Sequence, residues 1–534
     1  MTLDCNRTIV DVFNEACAEF PDSPAFTCLG HTLYYRDIER LSAQFAAFLQ
    51  HESGLQPGDR IAIQLPNVLQ YPVAVFGALR AGMIVVNTNP LYTASELKHQ
   101  LTDSGAKALV VLANVAAQAA EVIDETPVEK VIVSEIADLH PPLKGTLMNL
   151  AVKYLKKMVP PFSFKHSLAF KQTLKVDGGR LTPHVATPDD VAVLQYTGGT
   201  TGVAKGAMLT HRNLVANMLQ VNLHMRDSFR KNQDLFVAPL PLYHIYAYTI
   251  HCMCAFSLGN ENLLIPNPRD IPGFVKALKG VPFTCFVGLN TLFNALCRNE
   301  DFKNLDFSHM RLSSSGGMAL TQAAAKRWEE VTGTPVCEGY GLTETSPVVC
   351  INPRSGIRLG TVGLPVPETE VKTVDDDGAD LPLGEAGELC VRGPQVMKGY
   401  WHREDATAEI LSPDGWLKTG DIAVIDAEGY VKIVDRKKDM INVSGFKVFP
   451  NEVEDALTAH PDLVEAAVVG VEDEESGELV KAFVVSTNPA LTEKEVREFA
   501  RQSLTAYKVP SSVEFRDELP KTNVGKVLRR KLKE

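Results

Sequence analysis

Nowhere in the 534 residues does an apolar run reach the roughly 18 that a helix needs to cross a bilayer, so no membrane-spanning helix is expected. Basic charge is in deficit: 53 Lys and Arg stand against 65 Asp and Glu, a formal net charge of −12. General nucleic-acid binding needs a basic surface and is excluded on that balance. The ten cysteines form no C-x-x-C pair, and the closest two, Cys252 and Cys254, read as core packing rather than a metal site. Met1 to Val10 lacks a basic n-region followed by an apolar core, so no signal peptide is expected. The expected setting is therefore the cytoplasm, with the thiols reduced. No G-x-G-x-x-G follows a strand-like run, which argues against a dinucleotide site. What is present, 45% hydrophobic and 22% charged residues, is the composition of a soluble globular chain long enough for two or more domains.

Apolar spacing from Thr8 to Phe20 is helical, and Pro-Asp-Ser-Pro ends it. Strand-like runs follow at Arg60 to Gln64 and Met83 to Asn87, with a helical pattern from Tyr71 to Ala81 between them. Ala108 to Leu112 and Lys130 to Ser134 continue the alternation. Strand alternating with helix implies a mainly parallel sheet covered on both faces. Residues 141–180 differ in character, with eight basic residues, Lys153, Lys156 and Lys157 among them, and one acid, Asp177. Leu147, Leu150, Ala151, Tyr154, Leu155 and Met158 recur there at helical spacing. Two readings stand side by side: a basic amphipathic helix on an anionic membrane surface, or a surface helix packed by its apolar stripe.

The densest signal is Tyr196 to Asn213. The run Val191 to Tyr196 reads as a buried strand, and Thr197, Thr200 and Thr201 are then interleaved with Gly198, Gly199, Gly202 and Gly206, with Lys205 near the end. Glycines let the backbone turn tightly with its N–H groups inward; the hydroxyls add neutral donors and the lysine a point charge. That combination suits a polyphosphate. It is not a P-loop, because Gly206 stands where Ser or Thr would hold magnesium. Asn213 is expected to cap a helix over 214–221.

This stretch resembles the phosphate-binding motif of the adenylate-forming superfamily: acyl-CoA synthetases, adenylation domains of peptide synthetases, and firefly luciferase. Further stretches resemble its other motifs in family order. Pro239 to His244 places His244 where the family has a histidine beside the carboxylate and adenylate. Ser313 to Met318 resembles the loop bordering adenine and acyl pocket, which assigns Ser315, Gly316 and Gly317 there. Glu338-Gly339-Tyr340-Gly341-Leu342-Thr343-Glu344 follows: Tyr340 offers a face to adenine, Thr343 a hydroxyl to the α-phosphate, and Glu344 a hard oxygen to magnesium. Asp421 can accept both ribose hydroxyls, Arg436 serves the ribose-phosphate region, and Lys438 is the hinge. Ser444, Gly445 and Phe446 correspond to the stretch beside the CoA tunnel, and Lys526 to the family's catalytic lysine.

Over its whole length the chain is most similar to bacterial long-chain fatty acyl-CoA synthetases, through runs such as Leu65 to Pro72, Asn87 to Thr93 and Asn267 to Pro272. The resemblance implies an α/β fold with a large multi-sheet N-terminal body, residues 1–437, and a smaller mobile lid, residues 438–534. It also implies activation of a medium- or long-chain fatty acid by ATP to an acyl-adenylate and then to its CoA thioester. Catalytic roles fall to Lys526, Lys205 and His244, with Mg2+ on Thr200 and Glu344. Fatty acid, ATP and CoA are the expected partners, with loose membrane association and a homodimer as further candidates. Two departures stand out: Ser315 where the family commonly has glycine, and Asn442 where some relatives have lysine. Three rivals share parts of the pattern. A fatty acyl-AMP ligase often carries an insertion not found here, an oxygenase of the luciferase kind needs a luciferin pocket that nothing indicates, and a non-catalytic fatty-acid-binding protein would not need Lys526, Glu344 and Lys205 together.

Overall fold

The computed structural model describes residues 3–197, 203–473, 476–521 and 527–533. Two large sheets, a small antiparallel sheet and a C-terminal sheet organise them. In the seven-stranded sheet the order is Leu168–Ala169, Lys130–Ser134, Ala106–Leu112, Arg60–Gln64, Ile84–Asn87, Val191–Thr197 and Lys205–Thr210. All pairs are parallel except the last, which folds back as an antiparallel ladder. The nine-stranded sheet has a parallel middle that includes Cys285–Gly288, Leu312–Ser315 and Val336–Gly341, with an antiparallel pair at each end. Short apolar runs joined through helices produce this layering, because each parallel crossover must bring a helix across a sheet face.

Between the two large sheets lies a shared layer of helices. Gln70–Arg80 is buried along nearly its whole length, the mark of a helix packed on all sides. Gly77 admits its neighbour: a Cβ there would lie 2.8 Å from the Phe45 ring. Phe13, Phe76 and Phe256 close the layer, with ring centroids 4.7 to 5.6 Å apart. Cys252 and Cys254 are fully buried in this core, and no cluster of metal-ligating side chains exists among the described residues. No helix of the described residues is long and apolar enough to cross a membrane.

The four-stranded antiparallel sheet ends with Val431–Arg436, and Ile441–Val443 opens the C-terminal sheet, with Lys437–Asp439 as a single tight turn between them. The architecture is thus a large multi-sheet α/β body followed by a smaller α/β domain with its own core around Val468, Val480 and Val484.

Two local expectations are corrected. The helix after the glycine-rich stretch is His211–His224, and its cap is Thr210: Thr210 Oγ1 accepts from Asn213 N–H while Asn213 Oδ1 accepts from Thr210 N–H. Asn213 therefore sits three residues inside the helix as the second half of a capping box, a role its side chain fills as readily as a cap. In the basic segment, helix Pro142–Leu150 continues as a π-helical turn over Ala151–Leu155, and the apolar stripe is not packed inward: Leu147, Leu150, Tyr154, Leu155 and Met158 are all exposed.

Candidate active site

The hairpin Val191–Thr197 and Lys205–Thr210 brings Thr197 directly opposite Lys205. Gly198, Gly199, Thr200, Thr201 and Gly202, as well as Lys526, lie outside the described residues. The Tyr196 ring lies flat on Gly206, where a Cβ would come within 3.0 Å of it, and its hydroxyl donates to Asp103 Oδ2 at 2.7 Å. Gly206 thus gives the hairpin its room for an aromatic brace.

Residues 398–401 run alongside this hairpin: Met208 N–H donates to Gly399 O at 2.9 Å and Trp401 N–H to Gly206 O at 2.8 Å. That places Tyr400 over the site. Lys205 Nζ stands 5.1 Å from the centre of its ring, within cation–π range, while its hydroxyl donates to Glu344 Oε1 at 2.6 Å. Burial, then the Glu344 charge, pushes the Tyr400 phenol well up, so it stays a donor. Lys205 and Glu344, 139 positions apart in sequence, are joined through one tyrosine that sequence reasoning missed; the only signal is the Gly399-Tyr400 dipeptide. A single carboxylate oriented by a hydroxyl suits magnesium, which draws most of its octahedral shell from water and phosphate oxygens.

The second cluster grows from strand Val336–Gly341. Tyr340 donates its hydroxyl to Asp421 Oδ2 at 2.5 Å, and burial followed by the Asp421 charge holds that phenol far above its ordinary pKa. Asp421 pairs with Arg436 across adjacent strands, two residues before Lys438. Burial, then the Arg436 charge, lowers the Lys438 pKa. Gly341 has no alternative, since a Cβ would fall 2.0 Å from Pro347 O. Gly339 is similarly tight, its Cβ position 3.2 Å from Cys350 O, and Thr343 opens the tight turn that carries Glu344. Glu338, nearly inaccessible, accepts from Leu320 N–H at 3.0 Å, and burial pushes its carboxyl up to about 8.

Beside strand Val336–Gly341 runs strand Leu312–Ser315, anchored by Trp328 Nε1–H donating to Ser313 Oγ at 2.8 Å. Tyr246 packs its ring on Gly316 and meets Ser314 Oγ at 3.1 Å, and Gly317 turns the chain with φ +83°. Ser315 is fully buried, and its Oγ has no hydrogen-bond partner among the described residues. His244 is half-buried, its Nδ1 accepting from Tyr246 N–H at 3.3 Å, which orients the ring at the start of the next helix.

Ser444, Gly445 and Phe446 are set apart. Ser444 and Gly445 form an exposed turn between Ile441–Val443 and Phe446–Val448, with φ +50° at Ser444 and +86° at Gly445, and the exposed Phe446 opens the second strand. Phe446 stacks on Tyr507 at 4.9 Å, and Ser444 N–H donates to Ser476 O at 2.7 Å, both within the C-terminal domain. Asn442 is exposed beside them. Arg529 ties the tail to the stretch around the Lys437–Asp439 turn, reaching Glu454 at 2.8 Å, Asp439 at 3.1 Å and Asp435 at 3.5 Å.

The chain is similar to known proteins over nearly its whole length. Residues 13–401 match the family described as AMP-binding enzyme, and residues 452–526 its C-terminal domain. A long-chain-fatty-acid–CoA ligase of Escherichia coli O6:H1 is 54% identical, covering 99% of this chain and 95% of that protein. One from Bacillus subtilis is 38% identical over 99% of this chain and 94% of its own length. Among solved structures, the anthranilate CoA ligase AuaEII in complex with anthranoyl-AMP superposes with a TM-score of 0.89 at 25% identity, covering 99% of this chain and 97% of that one. ATP-bound MatB from Rhodopseudomonas palustris does so with 0.82 at 28% identity, covering 98% of each.

Proposed function

The chain belongs to the AMP-binding enzyme family, as a member of its long-chain-fatty-acid–CoA ligase branch, and from that premise we propose how its residues carry out the reaction. The enzyme activates a fatty acid with ATP to an acyl-adenylate and then forms the CoA thioester. In the first step a carboxylate oxygen attacks the α-phosphorus, and the bond to the leaving pyrophosphate breaks. In the second, the CoA sulfur attacks the acyl carbon, and the carbon–oxygen bond to AMP breaks. Negative charge gathers on phosphate oxygens in the first step, so preorganised positive charge is what catalysis needs. Lys205 supplies it from the hairpin and Lys526 from the C-terminal domain. Magnesium, held by Glu344 and Thr200, supplies a Lewis acid for the same oxygens when bound.

Tyr340 offers its ring to adenine beside Gly316, Gly317, Glu338 and Gly339, while Asp421 and Arg436 take the ribose region and Thr343 the α-phosphate. His244 flanks the reacting carboxylate and orients it. Ser315 closes the acyl pocket and sets its length within the medium- to long-chain range. Residues 1–437 form the body and 438–534 a lid that turns about Lys438 to bring Ser444, Gly445 and Phe446 to the CoA tunnel. The observation that carries the nucleotide side is the Lys205–Tyr400–Glu344 contact, which supports a charged phosphate site at the hairpin.

This reading includes a cytoplasmic location, loose association with an anionic membrane surface, which the basic segment 141–180 supports, and a homodimer, tested by sedimentation velocity. Pyrophosphate release, measured over carboxylates of graded length with and without CoA, tests the whole. Release that peaks for medium or long chains, with thioester formed only when CoA is present, is expected. Adenylate that accumulates unchanged in the presence of CoA would favour the acyl-AMP ligase instead.

A further inference from the structure

Six of the fifteen exposed large hydrophobic side chains among the described residues crowd onto one short segment: Leu143, Leu147, Leu150, Tyr154, Leu155 and Met158. Leu143, Leu147, Leu150 and Tyr154 recur at spacings of four and three, so they share one helix face. Exposure reaches 78% at Leu143 and 81% at Leu155. An ordinary surface helix presents the opposite arrangement, apolar side inward.

What holds the helix this way is its small and polar side. Gly145 is buried so close that a Cβ would lie 2.6 Å from Ala137 O. Asn149 Oδ1 accepts from Ala137 N–H at 3.0 Å, and its Nδ2 donates to Glu135 at 3.1 Å and to Asp138 at 3.4 Å. Rolling the leucines inward would break all three bonds and drive a side chain into the backbone. The outward apolar face is therefore built in.

Charge frames it. Lys153, Lys156 and Lys157 are exposed, and none pairs with a carboxylate of the described residues, although the chain as a whole carries −12. The Lys144 amine donates to Gly30 O at 3.2 Å, so the exposed Leu29, next in sequence to Gly30, lies near the start of this helix. A second copy fits this face poorly, because a two-fold pairing would set the lysines of one copy against those of the other. An anionic lipid surface satisfies both features at once, taking the leucines into the acyl boundary and the ammonium groups at the headgroups.

We propose that the inverted helix of residues 142–155, with Met158 just beyond it and Leu29 near its start, is the docking face by which this ligase sits on an anionic bilayer. It rests on the loose association proposed above and names the surface responsible. Docking there places an enzyme that consumes fatty acids on the phase in which long chains dissolve.

Flotation with vesicles of phosphatidylcholine alone or with phosphatidylglycerol tests it, using the full chain. Wild type should bind the anionic vesicles and release as salt rises. Leu147→Ser with Leu155→Ser should weaken binding about 10²-fold, roughly tenfold for each leucine withdrawn from lipid. Reversing Lys153, Lys156 and Lys157 to glutamate should weaken it by about 10² or more, at roughly fivefold for each lysine removed. Both variants should turn over a soluble medium-chain acid, without vesicles, at the wild-type rate, which checks folding and catalysis separately from docking. Binding unchanged in the leucine variant, wild type that never floats, or a dimer that the leucine changes dissociate would each overturn the assignment. Loss of turnover in wild type itself would instead overturn the catalytic reading.

Discussion

Tyr340 and Tyr400 commit their hydroxyls to Asp421 and Glu344 inside the body, while Ser444, Gly445 and Phe446 lie exposed on the C-terminal domain. The first pair is locked by burial and short bonds to charged oxygens. Among the described residues, the second set meets Ser476 and Tyr507 of its own domain. The contrast teaches a division of labour. Phosphoryl chemistry needs charges fixed in advance, and the residues proposed for it sit on strand ends of a large core. Thioester formation needs a group delivered after pyrophosphate has left, and the residues proposed for it sit on a small domain joined by a short turn.

The largest effect should come from breaking the fixed side. Glu344→Gln keeps the shape but removes the charge that Tyr400 orients, and losing one preorganised electrostatic partner costs about 10² to 10³ in rate. Pyrophosphate formation should fall by that order and recover partly at high magnesium, with Tyr400→Phe showing a weaker form of the same magnesium dependence. Near-normal turnover of Glu344→Gln at low magnesium would place the metal elsewhere. Next comes the acyl pocket. Ser315 buries an unpartnered hydroxyl, so Ser315→Gly should shift preference toward longer or bulkier acids by about 10- to 200-fold. An unchanged chain-length profile would remove Ser315 from the pocket.

The smallest effect concerns Glu338 and stability. Burial raises its carboxyl from 4.5 to about 8, so the folded state binds that proton more tightly than the unfolded one. Its contribution is full below about 4.5 and is lost as pH rises through about 8. Glu338→Gln mimics the protonated form, so its thermal midpoint should fall less than that of wild type between about pH 5 and pH 9. Parallel curves would mean that the carboxyl ionises without cost.

Much of this organisation is legible in the residues, and the failures have physical causes. Arg60–Gln64 and Lys130–Ser134 can be read with their bounds, because each is a short apolar run between clear breakers. Thr210 and Asn213 both favour a helix start, and only the reciprocal bonds decide which one caps. Tyr400 carries no local pattern beyond the Gly399-Tyr400 dipeptide; its place arises because residues 398–401 are laid beside 206–208 by the fold. The outward face of the 142–158 segment was equally hidden, since an apolar stripe in sequence does not say which way it points. Gly145 and Asn149 decide that through the backbone of Ala137.

The division of labour is tested most directly by measuring the two half-reactions separately on Lys526→Ala and Gly445→Leu. Lys526→Ala should lose pyrophosphate formation by orders of magnitude yet still convert supplied acyl-adenylate and CoA to thioester. Gly445→Leu should do the reverse, because a φ of +86° strains any side chain there and the added bulk would stand in the proposed path of CoA, while the nucleotide residues are untouched. Equal damage to both steps in both variants would contradict a fixed nucleotide side served by a delivered CoA side.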